Sequence, residues 1–186
     1  MKKTNDIIKY FDEINENLLL NHKLLFLLKD IIIKTKKNNG KVIVFGNGGS
    51  ASTSNHVTVD LTKNAKVQSM NFNESNLITC FSNDYGYEKW ISKAIEFYAT
   101  KRDLVILLSV SGESKNLVNA AKMCKKNKLN LVTFTGKTKN NSLIKINKKK
   151  LNFFVNSNSY NIVEIVHHAL LLCVVDMIIG KKTYSV

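Results

Sequence analysis

Val42-Ile43-Val44-Phe45-Gly46-Asn47-Gly48-Gly49-Ser50 is the stretch whose reading decides the fold. A short apolar, mostly β-branched run stops at a glycine-rich turn ending in a hydroxyl, and a helical segment follows from Ala51 to about Lys63. Strand, glycine turn and helix start together present backbone N–H groups to an anion. Glycines let the chain pass close to a ligand. The spacing matches neither the dinucleotide fingerprint nor the P-loop. Alone it is an anion-friendly turn, and its weight comes from a second, similar turn further on.

Outward from this stretch the chain alternates in type. Strands are expected at 42–45, 77–80, 104–109, 129–134 and 151–155. Helices are expected at 51–63, 87–99, 114–126 and 160–179, with a short one within 137–149. The strands are mostly continuous apolar runs, as when both faces of a sheet are covered. The alternation predicts an α/β fold, a doubly wound, mostly parallel five-stranded sheet flanked by helices. Ligands of such sheets bind beyond the carboxyl ends of the strands, which puts the turns after Phe45, Cys80 and Ser109 on one rim. Residues 4–36 read as helix, with a break near Asn21-His22 that gives an N-terminal helical pair. One domain is expected over 1–186: helices to about residue 38, which serve oligomer packing, and an α/β core over 41–186.

The composition bounds the function. With 44% hydrophobic and 23% charged residues, the chain is of ordinary globular type. The net charge is +14, yet Arg102 is the only arginine and proline is absent. We read most of the lysines as solvated faces. Lys148-Lys149-Lys150, with Lys145 nearby, has no interleaved aromatics and no nucleic-acid motif, so no nucleic-acid partner is expected. No uninterrupted apolar run reaches the length of a membrane helix, and the polar N-terminus does not read as a signal peptide. No membrane association and a cytoplasmic location are the expectation. Cys80, Cys124 and Cys173 are odd in number and widely spaced, and read as reduced, buried thiols.

The second turn is Ser109-Val110-Ser111-Gly112-Glu113-Ser114, between a strand and a helix. One serine there is enough to cap the helix. Three hydroxyls with Gly112 and helix-start amides suit a phosphate. Between the two turns lies Ser82-Asn83-Asp84-Tyr85-Gly86-Tyr87-Glu88. Asp84 and Glu88 there serve either a turn or sugar hydroxyls.

In this order and spacing, GNGGS, SNDYGYE and SVSGES resemble the sugar-isomerase (SIS) domain, and the phosphoheptose isomerases in particular. The resemblance covers nearly the whole chain. It implies a flavodoxin-like three-layer sandwich and an aldose–ketose isomerase that converts sedoheptulose 7-phosphate to a manno-heptose 7-phosphate for surface glycans. It implies a homotetramer with active sites at subunit boundaries. Ser50, Ser109, Ser111 and Ser114 would hold the phosphate beside Gly48 and Gly49, while Asn47 and Asp84 would line the sugar. The family reads S-T-S-G-N-S where this chain has Val110 and Glu113, so Glu113 brings a negative charge to the phosphate loop and Lys115 offsets it.

The family's catalytic pattern H-x-x-x-E falls on His56-Val57-Thr58-Val59-Asp60. The i, i+4 spacing puts both on one helix face, and Asp60 would be the base, one methylene shorter than glutamate. On the last helix Glu164 and His167 match, with Glu164 a substrate ligand, but the family's acid histidine falls on Leu172. His168 would act in its place, from a position shifted by about 6 Å along the helix. His56, Asp60 and Glu164, with His167 or His168, are the implied donors for zinc. Two functions follow. One is an isomerase with Asp60 and His168 as its acid–base pair. The other is a non-catalytic phosphosugar-binding or interaction module, which Leu172 would explain.

Overall fold

Successive residues of the first strand point into opposite layers. Val42 and Val44 pack with one set of helices, and Ile43 and Phe45 pack with the other. The same period of two splits Leu104, Ile106 and Leu108 from Val105 and Leu107. Both faces are dry, which is why the strands read as unbroken apolar runs. Burying each such side chain fully contributes about 1.5–3 kcal/mol.

The computed structural model describes residues 3–148 and 150–182. In chain order it has α1 (Thr4–Lys37), β1 (Val42–Phe45), α2 (Gly49–Lys63), β2 (Ser69–Met70), α3 (Ser75–Tyr85) and α4 (Trp90–Tyr98). Then come β3 (Leu104–Ser109), α5 (Lys115–Lys126), β4 (Asn130–Gly136), α6 (Ser142–Ile146), β5 (Asn152–Val155) and α7 (Tyr160–Ile179). The strands form one parallel sheet in the order β2-β1-β3-β4-β5. Helices α1, α2 and α7 cover one face, and α4, α5 and α6 cover the other.

Three expectations need correction. The N-terminal pair is one continuous helix of 34 residues. Asn21 does not break it but clamps the edge strand. Its side chain donates to the Phe154 carbonyl at 2.9 Å and accepts from the Phe154 N–H at 3.2 Å. Asn17, a turn earlier, accepts from Asn156 N–H at 2.6 Å. Two buried amides thus occupy part of an edge that would otherwise be open to pairing with another chain.

The second correction concerns residues 77–80, which belong to α3 and not to a strand. Leu77, Ile78 and Phe81 are partly buried at helical spacing. A short apolar run of this kind does not distinguish strand from helix. The second strand is the two-residue Ser69–Met70, paired with Val42 and Ile43. Third, among the cysteines only Cys124 is buried, and burial pushes its thiol up to about 12. Cys80 and Cys173 are exposed.

By length and composition α7 is apolar enough to cross a membrane, with a mean hydropathy of 2.2. In this fold it is a core helix, with Val163, Val166, Leu170 and Val174 buried against the sheet, α1 and α2.

Candidate active site

Sheet order reverses at β1: the chain leaves it toward β2 on one side and toward β3 on the other. The crevice beyond the carboxyl ends of β1 and β3 is the topological switch point, where such sheets bind ligands. Gly46–Ser50 and Val110–Ser114 flank it. Four helices follow β1, β3, β4 and β5 on this rim, and they start in two different ways. Asn141 caps α6 by accepting from Ile144 N–H at 3.0 Å, and Ser159 caps α7 by accepting from Ile162 N–H at 3.4 Å. At α2 the N-cap is Gly48, with φ of 53° and no side chain to offer. At α5 the N-cap Ser114 makes no capping bond, and its hydroxyl stands 3.3 Å from that of Ser109. Of these four helices, the two at the switch point are those whose N-cap side chains make no capping bond, which leaves their first turns open to an anion; α3, which follows the edge strand β2, is likewise uncapped at Glu74.

Around this crevice, Asn47 and Asn116 exchange two side-chain hydrogen bonds, of 3.0 and 2.8 Å, which tie the first loop to α5. The Tyr87 hydroxyl donates to Asn47 at 3.3 Å. Asn47, Tyr87, Glu88, Ser114, Lys115 and Asn116 line an open pocket here. Asn116 and Tyr87 escaped the sequence reading, since only the fold shows that they meet Asn47. Ser109 and Ser50 are buried beneath the loops. The Gly112 N–H bonds Ser109 Oγ at 3.1 Å, and Glu113 N–H bonds Ser111 Oγ at 3.2 Å.

Glu113 does not face the proposed phosphate. Its carboxylate accepts from Ser142 N–H at 2.8 Å and Ser142 Oγ at 2.6 Å, at the start of α6. The Ser142 hydroxyl holds the Glu113 carboxyl below its usual range, with Ser142 N–H and Lys145 adding to the effect against partial desolvation. Asp84 sits at the end of α3, exposed, and accepts from Asn83 Nδ2 at 2.9 Å and Cys80 Sγ at 3.7 Å. It is not among the residues that line this pocket, though Gly86, two residues on, is.

The second polar cluster runs along the seam between α2 and α7. Glu164 stands over the start of α2, where a Cβ on Gly49 would lie 2.2 Å from its Oε2. A carboxylate is favoured at a helix N-terminus. One turn further, His168 Nε2 lies 3.0 Å from His56 Nδ1, and His56 Nε2 lies 3.3 Å from Asp60 Oδ2. Asn64 donates to the other Asp60 oxygen at 3.1 Å. One tautomer assignment satisfies every link, with His168 donating to His56 and His56 to Asp60. Burial and the neighbouring His56 push the His168 pKa down, against the opposing pull of Asp60.

Its sequence neighbour faces the other way. His167 is buried in the core, against Phe134 and with Nε2 3.2 Å from the Thr135 carbonyl, and burial lowers its pKa to about 4. It is a neutral core residue with no part in the seam. Leu172 packs against the apolar core. Among the described residues no three His, Cys, Asp or Glu side chains converge as a metal ion requires. The donors named for zinc are split, with Glu164 over the glycine loop and His56 and Asp60 further along α2.

Fold and rim together define a doubly wound α/β protein with paired glycine–serine loops at its switch point. The chain belongs to the SIS domain family, whose model matches residues 9–136. It is 33% identical to a Thermoplasma acidophilum protein described as a "Probable phosphoheptose isomerase" over 141 residues, 72% of this chain and 77% of that one. It is 33% identical over 113 residues to the phosphoheptose isomerase of Helicobacter pylori, a match that spans 58% of this chain and 59% of the relative. With the Aliarcobacter butzleri enzyme the identity is 34% over 125 residues, 63% of this chain and 66% of that protein. These last two matches thus span under two thirds of the relatives' length. Among solved structures, phosphoheptose isomerase from Francisella tularensis superposes with a TM-score of 0.85 at 20% identity, covering 97% of this chain and all of that one. That from Neisseria gonorrhoeae gives 0.84 at 20%, covering 94% and 95%. This likeness extends the shared fold to nearly the full chain.

Proposed function

We propose that the protein is a cytoplasmic aldose–ketose isomerase of phosphosugars, acting on sedoheptulose 7-phosphate to give D-glycero-manno-heptose 7-phosphate for surface glycans. The observation that carries this reading is the Asp60–His56–His168 chain of hydrogen bonds beside the uncapped loops. The relatives named phosphoheptose isomerase support the substrate.

The phosphate sits among Ser109, Ser111 and Ser114 at the start of α5. Asn47, held by Asn116 and Tyr87, orients the sugar. Asp60 removes a proton from C1 of the ketose and returns it to C2. The O1 hydroxyl gives up its proton and O2 gains one, so the net change is isomerisation. His168 handles the hydroxyl protons and His56 links it to the base. His168, with its pKa held down, is neutral at physiological pH and able to both give and take a proton.

A homotetramer is part of this proposal. Phe11, Leu19 and Phe26 share one side of α1 and are each 60% or more exposed, an apolar face of the kind subunits cover. A monomer in size-exclusion chromatography overturns that part.

The direct test follows sedoheptulose 7-phosphate by proton NMR in deuterium oxide, with and without zinc. Conversion with deuterium incorporation at the reacting carbon is expected. Asp60→Asn should lower the rate by about 10³-fold, within the range for a lost acid–base group. Thermal protection by the sugar phosphate without any exchange means a binding protein instead.

A further inference from the structure

The opposite end of the sheet carries a feature that the phosphosugar reading leaves unused. Where α5 and α6 end and β4 and β5 begin, a pocket of about 470 Å³ opens, a size ordinary for small-molecule sites. Leu129, Leu131 and Ile146 give it an apolar floor. Lys125, Lys128, Lys145, Lys148 and Lys150 ring it, and no acidic residue lines it.

Lysine is common throughout this chain, so charge alone means little. Some of it here answers local needs. Lys150 donates to the Leu129 carbonyl at 3.1 Å, and Lys145 faces Glu113. The two helix C-termini bring about half a negative charge each, roughly one unit together. Against five ammonium groups, one of which (Lys145) already faces Glu113, these leave a surplus of roughly three positive charges around an apolar concavity. A lone inorganic anion answers the charge but leaves the floor wet. A neutral apolar molecule covers the floor but leaves the lysines repelling one another. A compact polyanion joined to a flat apolar group satisfies both.

We propose that this pocket binds a nucleoside di- or triphosphate, with the base on Leu129, Leu131 and Ile146 and the phosphates among the lysines. The proposal does not depend on the activity at the other rim. An occupant would still reach that rim, because α6 spans the distance. Ile146 lines the pocket, while at the other end of α6 Leu143 N–H bonds the Gly112 carbonyl at 3.2 Å and Ser142 holds Glu113.

The test is isothermal titration of the full chain at about 0.1 M salt with ATP, tripolyphosphate and adenosine as probes. ATP is expected to bind at least tenfold more tightly than tripolyphosphate, and adenosine more weakly still. Lys128→Gln/Lys148→Gln should weaken ATP at least tenfold. Lys9→Gln/Lys23→Gln on α1 should leave it within twofold, as should Ser111→Ala, which separates this pocket from the phosphate loop. Circular dichroism checks that each variant is folded. No heat with ATP overturns the proposal. Tripolyphosphate binding as tightly as ATP overturns it, as does equal weakening by the α1 pair. Loss of ATP binding in Ser111→Ala assigns the nucleotide to the other rim and overturns it as well.

Discussion

The helices α2 and α5 begin at the same rim as α6 and α7, yet the two pairs are built to different ends. Asn141 and Ser159 hand their side-chain oxygens to the first turns of α6 and α7. Gly48 has no side chain to hand over, and Ser114 turns its hydroxyl toward Ser109. A cap contributes about 1 kcal/mol to stability. Its absence at two neighbouring helix starts that both flank the switch point leaves amides there open to a ligand. A serine before a helix therefore does not announce its role. What it bonds does.

The largest effect that breaks this contrast is expected at Gly112. Its φ is +68°, and a Cβ there would lie 2.3 Å from the Asn141 side chain. Gly112→Ala strains the open loop and displaces the cap of α6 in one step. Stability should fall by about 2–3 kcal/mol in urea unfolding, the sum of a left-handed residue and an overpacked contact. Sugar-phosphate affinity should fall about 10²-fold, as loop atoms move by about 1 Å.

Smaller changes separate the two kinds of helix start. Ser114→Ala should raise KM about tenfold, since one hydrogen bond to a charged group contributes about 1.5 kcal/mol, with stability within about 0.5 kcal/mol. Ser159→Ala should do the reverse, costing about 1 kcal/mol of stability and leaving KM unchanged. Equal behaviour of the two serines in paired kinetics and urea melts would end the distinction.

How far the sequence carried the reading depends on the range of the forces involved. The two loops, four of the five strands and the last helix, Tyr160–Ile179, were legible because apolar runs and glycine turns are local signals. Contacts with distant partners were not legible. Asn21 looked like a helix breaker, because nothing nearby shows that Phe154, 133 residues on, needs its amide. Residues 77–80 are too short a run to choose a period. His167 and His168 are adjacent and chemically identical in sequence. Only the packing of α7 sends one to the Thr135 carbonyl and the other to His56. Asn116 is an ordinary helix residue until β1 and β3 lie side by side.

Glu113 joins the two kinds of helix start, and the smallest effect is expected there. Its N–H belongs to the open serine loop, bonded to Ser111 Oγ, while its carboxylate closes the start of α6 on Ser142. The sequence alone makes it a charge that repels phosphate. The geometry makes it a clasp, so removing the charge should not improve binding much. For Glu113→Gln, KM is expected to move by less than about threefold. Stability should drop by a few tenths of a kcal/mol, a small figure because the side chain is exposed and screened. The pH dependence carries the sign. The carboxyl pKa is lowered in the folded protein, so its contribution is present above the unfolded value and is lost as pH falls through the folded one. Urea melts between about pH 6 and pH 3 should show wild type losing this increment while Glu113→Gln, with nothing to protonate, does not. A large fall in KM on removing the charge would instead put Glu113 back beside the phosphate, and the clasp reading would fail.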